Sequence, residues 1–240
     1  MTQSKVCLIY DQIVEAHLKG NPLFAVLIDP EKQKLTEISR FLTKIPSFST
    51  HIFVGGSTGG TSVIKACVEE IKKHTTLPVL LFPGNHNQLV KGFDALLFLS
   101  LISGRNPDYL IGEHIKAVPF LRTSTMEVIP TGYILINGGN ITSVQRVSHT
   151  LPLGMKDIDT IVATALAGQY AGKKLIYLEA GSGAKHPVLT SVIKAVHAAI
   201  DVPLIVGGGI RDKNTMEAAY HAGATLVVVG TALENDVFKV

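Results

Sequence analysis

Glu179 has the clearest chemical setting in this chain. It follows the apolar run Leu175 to Leu178 and precedes Gly181, Ser182 and Gly183. A carboxylate at the point where a buried strand leaves its sheet can serve as a base. The small residues behind it bring backbone N–H groups close together. Such a nest, followed by Pro187 in the first turn of a helix, can seat an anion. The plainer reading makes Glu179 a solvated loop residue and the glycines a turn. Two more glycine sets, Gly207 to Gly209 and Gly230 with Thr231, stand near the end of the chain. A phosphate can approach backbone closely only where no side chain intrudes, and three glycines in a row exceed what a turn requires. Asp29, before Pro30, offers the hard oxygen that Mg²⁺ takes, and Ser57 in the run Gly55 to Gly60 offers a hydroxyl. Taken alone, Asp29 also reads as a turn residue. The Gly55 to Gly60 run lacks the lysine of a P-loop and the GxGxxG spacing of a dinucleotide site. The histidines show no ligand spacing, and only His86, between Asn85 and Asn87, is kept as a candidate.

These residues need a scaffold that brings them together. Apolar runs predict strands at Leu23 to Ile28, Ile52 to Val54, Pro78 to Phe82, Asp94 to Leu99, Glu127 to Asn137, Leu175 to Leu178, Leu204 to Val206 and Leu226 to Val229. Helical spacing predicts helices at Thr36 to Ile45, Ser62 to His74, Tyr109 to Leu121, Ile158 to Tyr170 and Val188 to Ile200. Asn214 and Glu217 have capping-box spacing and predict a last helix running to about Ala222. A short helix from Tyr10 to Lys19 precedes the first strand and is placed to cap one end of the fold. The third and fourth strands are joined only by Asn85 to Phe93, too short for a crossover with its own helix, which needs about 10–12 residues. The pattern is that of a modified (β/α)₈ TIM barrel with the third outer helix missing or replaced by a short loop. An open doubly wound sheet is the alternative, and the closing glycine turns favour the barrel. In a barrel the residues just past the strands share one mouth. They are Asp29, Ser57, Phe82, Ser100, Asn137, Glu179, the 207–209 glycines, Gly230 and Thr231, and none is a lysine.

The chain has 240 residues, which suits one barrel domain spanning 1–240. It is 46% hydrophobic and 17% charged, with a net charge of +3 and no basic block, which argues against disorder and against a nucleic-acid partner. Cys7 and Cys67 have no metal or redox spacing, and with no signal peptide the expected compartment is the cytoplasm. No apolar run is long enough for stable membrane insertion. The residues alone reach a phosphate-binding barrel. An isomerase, a flavin-dependent oxidoreductase and a non-catalytic phosphometabolite binder remain open.

Several segments then fall in one order: Leu27 to Lys32, Val54 to Ser57, Pro107 to Gly112, Glu127 to Tyr133, Tyr177 to Gly183, Gly207 to Arg211 and Val229 to Thr231. Together they resemble the geranylgeranylglyceryl phosphate synthase family, which includes the bacterial heptaprenylglyceryl phosphate synthases. The resemblance implies a Mg²⁺-dependent prenyltransferase. The acceptor would be sn-glycerol 1-phosphate and the donor a polyprenyl diphosphate. Geranylgeranyl diphosphate is favoured over heptaprenyl diphosphate as that donor, because Ala180 to Gly183 resembles the geranylgeranyl branch. It implies that Asp29 and Ser57 hold the metal and that Glu179, with Tyr177, is catalytic. Tyr177, Leu178, Glu179, Ala180, Gly181, Ser182, Gly183, Gly208, Gly209, Gly230 and Thr231 would bind glycerol phosphate. It further implies a homo-oligomer. The prenyl tail should lie across the mouth and down the flank left open by the missing helix.

Overall fold

The computed structural model describes residues 8–56 and 59–239. Eight parallel strands close a barrel in chain order, with β8 paired back to β1. They are β1 Leu23–Ile28, β2 His51–Val54, β3 Val79–Leu81, β4 Ala95–Leu101, β5 Glu127–Leu135, β6 Leu175–Glu179, β7 Leu204–Gly207 and β8 Leu226–Val229. Each strand is covered on both sides, which is why it reads as an unbroken apolar run. The inner side is filled by Ala25, Phe53, Leu80, Leu97, Ile129, Tyr177, Ile205 and Leu226. The outer side packs Val26, Ile52, Leu96, Ile176, Leu178 and Val206 against the helices.

Those helices are α1 Ile9–Lys19, α2 Ile38–Leu42, α3 Thr61–His74, α4 Glu113–Leu121, α5 Ser143–Ser148, α6 Ile158–Tyr170, α7 Thr190–His197, α8 Lys213–His221 and α9 Thr231–Glu234. The link from β3 to β4 holds only a single 3₁₀ turn, His86–Gln88, so the outer helix expected to be absent is indeed replaced by a loop. A wider π turn, Asp108–Gly112, leads into α4. Among the described residues no helix is long and apolar enough to cross a membrane.

The structure departs from the sequence reading in several details. The helix predicted from Thr36 is a 3₁₀ turn, Leu35–Glu37, followed by the short α2. Helix α5 was not foreseen in the long link after β5. The last outer helix is capped by Asp212, whose side chain accepts from Thr215 N–H at 2.7 Å, and not by Asn214. An Asp two residues earlier offers the same acceptor oxygen, and only the backbone path selects between them.

Helix α1 closes the bottom of the barrel, as its place in the chain suggested. Ile9 and Ile13 are buried against the inner cluster, while Leu18 is exposed. Its first amides have no local side-chain cap. Instead Glu127, at the start of β5, accepts from Ile9 N–H at 2.7 Å and from Tyr10 N–H at 3.3 Å. A carboxylate beside the positive end of a helix is favourable as both acceptor and charge. Glu127→Ala should therefore cost about 1 kcal/mol. Hydrogen exchange should show the α1 amides opening faster while the amides of β6 keep their protection. Unchanged exchange in α1 would remove Glu127 from this role.

Candidate functional site

A cavity of about 570 Å³ opens at the C-terminal ends of the strands. Asp29, Gly56, Phe82, Tyr133, Tyr177 and Glu179 line it, with the loops bearing Gly181 to Gly183, Gly208 to Arg211 and Gly230 to Glu234. Strand alternation places Tyr177 and Glu179 on the inner face of β6, with Tyr177 below Glu179. Leu178 points outward into the helix layer, and Ala180 is buried there as well, so neither side chain reaches the cavity. What these two residues can offer is backbone, and the Ala180 N–H is already given to Gly207 O at 3.0 Å.

Glu179 is buried, and its Oε1 accepts from Gly181 N–H at 2.7 Å. Burial raises the pKa of this carboxyl above its ordinary value, against the opposing pull of Tyr177 and the Gly181 N–H. Burial, followed by the charge of Glu179, also pushes the Tyr177 phenol well above its ordinary range, so it stays neutral. The Tyr177 hydroxyl lies near enough to feel the Glu179 charge but makes no hydrogen bond of acceptable geometry among the described residues. The rings of Phe82, Tyr133 and Tyr177 sit 5.3–6.1 Å apart and form an aromatic floor.

Gly208 has φ 82°, a conformation natural to glycine. A Cβ there would lie 2.5 Å from Glu179 Oε1, so the bare backbone makes room for the carboxylate. Ser182 Oγ and Thr231 Oγ1, 3.0 Å apart, tie the glycine loop after β6 to the one after β8. Arg211 holds the first of these loops from outside, donating to Ala184 O at 2.6 Å. Among the described residues none accepts a hydrogen bond from the backbone N–H of Ser182, Gly208, Gly209 or Thr231. All four residues line the one cavity, and an anion nest is built from such unused N–H groups.

Across the mouth, Asp29 Oδ2 is 3.1 Å from Lys32 Nζ, and the Asp29 N–H donates to Glu234 Oε1 at 3.1 Å. Burial alone would depress Lys32, but Glu234 and Asp29 outweigh it and hold the ammonium above its ordinary pKa. Burial raises the Glu234 carboxyl against the Asp29 N–H and Lys32. The Lys32 side chain is 53% exposed. A pair so open is worth at most about 1 kcal/mol, so an incoming cation or diphosphate can displace either partner. Among the described residues no three His, Cys, Asp or Glu converge on a metal position. Asp29 fits Mg²⁺ as a single hard anchor whose remaining ligands would be water and substrate oxygens. Ser57, the other expected ligand, lies outside the described residues.

The cavity does not end at the barrel rim. It continues past Phe82 and Pro83 to the outer face of β4, where Leu89, Leu96, Phe98, His114 and Ala117 line it. This is the flank left open by the absent helix. His86 stands at its edge, and its ring Nδ1 donates to Glu113 Oε2 at 2.6 Å. Burial would raise Glu113, but hydrogen bonds from His86 and Lys116 outweigh it and hold the carboxyl at about 2.

Two positions expected at the mouth are elsewhere. Ser100 faces the helix layer, where Lys173 Nζ donates to its Oγ at 2.6 Å. Asn137 lines a separate surface cavity beside α7 and α8. Lys32, Glu234, Arg211 and Tyr133 were passed over by the sequence reading. The i, i+3 spacing of Asp29 with Lys32 was a signal for the first of them.

A family model described as the PcrB family matches residues 13–239. The chain belongs to that family, the geranylgeranylglyceryl phosphate synthases. As a member it is a prenyltransferase of ether-lipid synthesis. A geranylgeranylglyceryl phosphate synthase of Zunongwangia profunda is 54% identical over 231 residues, covering 96% of this chain and 99% of that protein. The one of Thermococcus kodakarensis is 40% identical, covering 92% and 88%. The crystal structure of (S)-3-O-geranylgeranylglyceryl phosphate synthase from Thermoplasma acidophilum, in complex with its substrate sn-glycerol-1-phosphate, matches with a TM-score of 0.87. It is 32% identical and covers 95% of this chain and 92% of that one.

The raised pKa of Glu179 has a thermodynamic sign. A carboxyl whose folded pKa exceeds its unfolded one contributes most stability when protonated, and that contribution is lost as pH rises through the folded value. At neutral pH the buried charge is therefore a cost. Glu179→Gln keeps the acceptor for Gly181 N–H and removes the charge. Its Tm at pH 7 should exceed that of the parent, and the gap should close as the pH is lowered. A lower Tm at pH 7 would contradict the burial argument.

Proposed function

We propose that the chain joins a geranylgeranyl group from geranylgeranyl diphosphate to the 3-hydroxyl of sn-glycerol 1-phosphate, releasing diphosphate. One observation carries this reading: the buried Glu179 carboxylate, the anion nest and Asp29 line one cavity that continues into an apolar flank groove. The phosphate of the acceptor sits against the N–H groups of Ser182, Gly208, Gly209 and Thr231. Seating it there points the distal hydroxyl toward Glu179. The Tyr177 hydroxyl, neutral and without a well-formed hydrogen bond among the described residues, is free to hydrogen-bond the glycerol.

Asp29, with Ser57, would hold Mg²⁺ at the diphosphate end of the donor, and Lys32 adds a second positive charge there. When bound, the ion neutralises the charge that develops on the leaving diphosphate. The allylic C–O bond breaks with its electron pair on the diphosphate, and the glycerol oxygen bonds to the allylic carbon. The proton of that hydroxyl passes to Glu179. A weak base is sufficient, because the hydroxyl becomes acidic only as its oxygen bonds to carbon. The prenyl chain runs over Phe82 into the groove beside β4, where apolar burial holds it. A homo-oligomer is the assembly we expect, and the exposed Ile115 and Val118 of α4 are apolar surface that a second copy would cover.

Product formation from the two substrates with Mg²⁺ tests the reading. Glu179→Gln should lower kcat by roughly 10²–10⁴-fold with little change in acceptor KM, the range for loss of a positioned base. Asp29→Ala should act mainly on the donor and on the Mg²⁺ dependence. The wild-type kcat should fall on acidification at a pH above that of an ordinary Glu, following the raised Glu179 carboxyl. Near-parental turnover in both variants would withdraw these roles, and turnover without a prenyl donor would favour a different barrel chemistry.

A further inference from the structure

The loop that replaces the missing helix carries a buried side chain that does not line the cavity but hydrogen-bonds two residues that do. Gln88 closes the 3₁₀ turn His86–Gln88 and is 1% exposed. Its neighbours Leu89, Val90 and Phe93 are buried apolar residues, a setting in which leucine or methionine would pack without polar cost. The amide is fully used instead. Its Oε1 accepts from Gly84 N–H at 2.6 Å, and its Nε2 donates to Gly56 O at 2.9 Å. One bond closes the loop on itself, and the other crosses to the loop after β2.

Gly56 is the residue that abuts the Asp29 carboxylate. A Cβ on Gly56 would stand 2.8 Å from Asp29 Oδ1. Gly55 beside it is pressed so closely on the Phe82 carbonyl that no side chain fits there. Gly56 and Gly84 both line the cavity. The far side of the turn is tied outward, with the His86 N–H and ring both donating to Glu113. Asn85 closes it locally by accepting from Asn87 N–H at 2.9 Å. The β3–β4 loop is thus held at one end by Glu113 on α4 and at the other by Gln88 on Gly56.

We propose that Gln88 is a positioning residue for the diphosphate half of the reaction. It fixes the Gly56 backbone, and through it the space around the Asp29 carboxylate, without touching substrate. The inference rests on the role of Asp29 proposed above. Only a side chain with one acceptor and one donor at this reach can make both bonds. A carboxylate accepts from Gly84 but repels the Gly56 carbonyl, and a methionine does neither.

Gln88→Glu and Gln88→Met separate this role from simple packing. Calorimetry should follow inorganic diphosphate with Mg²⁺ and, in separate titrations, sn-glycerol 1-phosphate. Losing the bond to Gly56 should weaken diphosphate binding roughly tenfold and raise the prenyl diphosphate KM in step, as expected for one unmade buried hydrogen bond. Affinity for sn-glycerol 1-phosphate should be unchanged. The deficit of Gln88→Glu relative to wild type should shrink as pH falls, because a protonated carboxyl regains a donor. That of Gln88→Met should not. Parental diphosphate affinity in folded Gln88→Glu would overturn the proposal, as would an equal loss for sn-glycerol 1-phosphate or failure of both variants to fold. A wild-type protein that does not bind diphosphate would instead remove the Asp29 reading on which it rests.

Discussion

Holding one carboxylate out of water at the end of β6 is the constraint around which this mouth is built. Among the described residues the Glu179 side chain accepts one backbone hydrogen bond, from Gly181, and forms no ion pair. Such a group is costly to bury ionised. The glycines around it follow from that need. Gly208 gives up its side chain so that the carboxylate has room, and Gly207 does the same for both Glu179 and Tyr177. The same bare backbone, at Gly208 and Gly209, lines the cavity with N–H groups that have no acceptor among the described residues. Space for the base and a seat for an anion are therefore one structural solution.

The cavity is asymmetric because the barrel is. Among the described residues six of the seven links between successive strands carry an α-helix, but the one from β3 to β4 is only a turn. With no helix there, the half-buried Phe98 on the outer face of β4 lines the groove together with the buried Leu96 and with Ala117 of α4. Removing a helix would ordinarily leave the remaining loop loose. Glu113 and Gln88 prevent this with hydrogen bonds to His86, Gly84 and Gly56. The polar half of the cavity, with Asp29, Lys32 and Glu234, lies near the rim, where ions exchange with water. The apolar half lies along the flank. A substrate with an ionic head and a hydrocarbon tail matches that division.

Much of the architecture was legible in the chain itself. Strands buried on both faces read as continuous apolar runs, and their order with intervening helices leaves few topologies besides the barrel. The short link after β3 announced its missing helix because residue count alone bounds a crossover. Glu179 and the glycine loops stood out because a carboxylate and bare backbone at strand ends have few structural uses. Closure was needed for the rest. A run such as Leu175 to Glu179 does not reveal which alternate residues face inward, so Leu178 could not be separated from Tyr177 until the register was set. Asp29 meets Glu234 across 205 positions, a contact that exists only because β8 returns to β1. Gln88 looks like an ordinary polar loop residue until the loop folds inward and Gly56 arrives opposite its amide. Local sequence determines which elements form, because periodicity and turn chemistry act over a few residues. The partners of each side chain are decided by how the closed sheet brings distant strand ends to one rim.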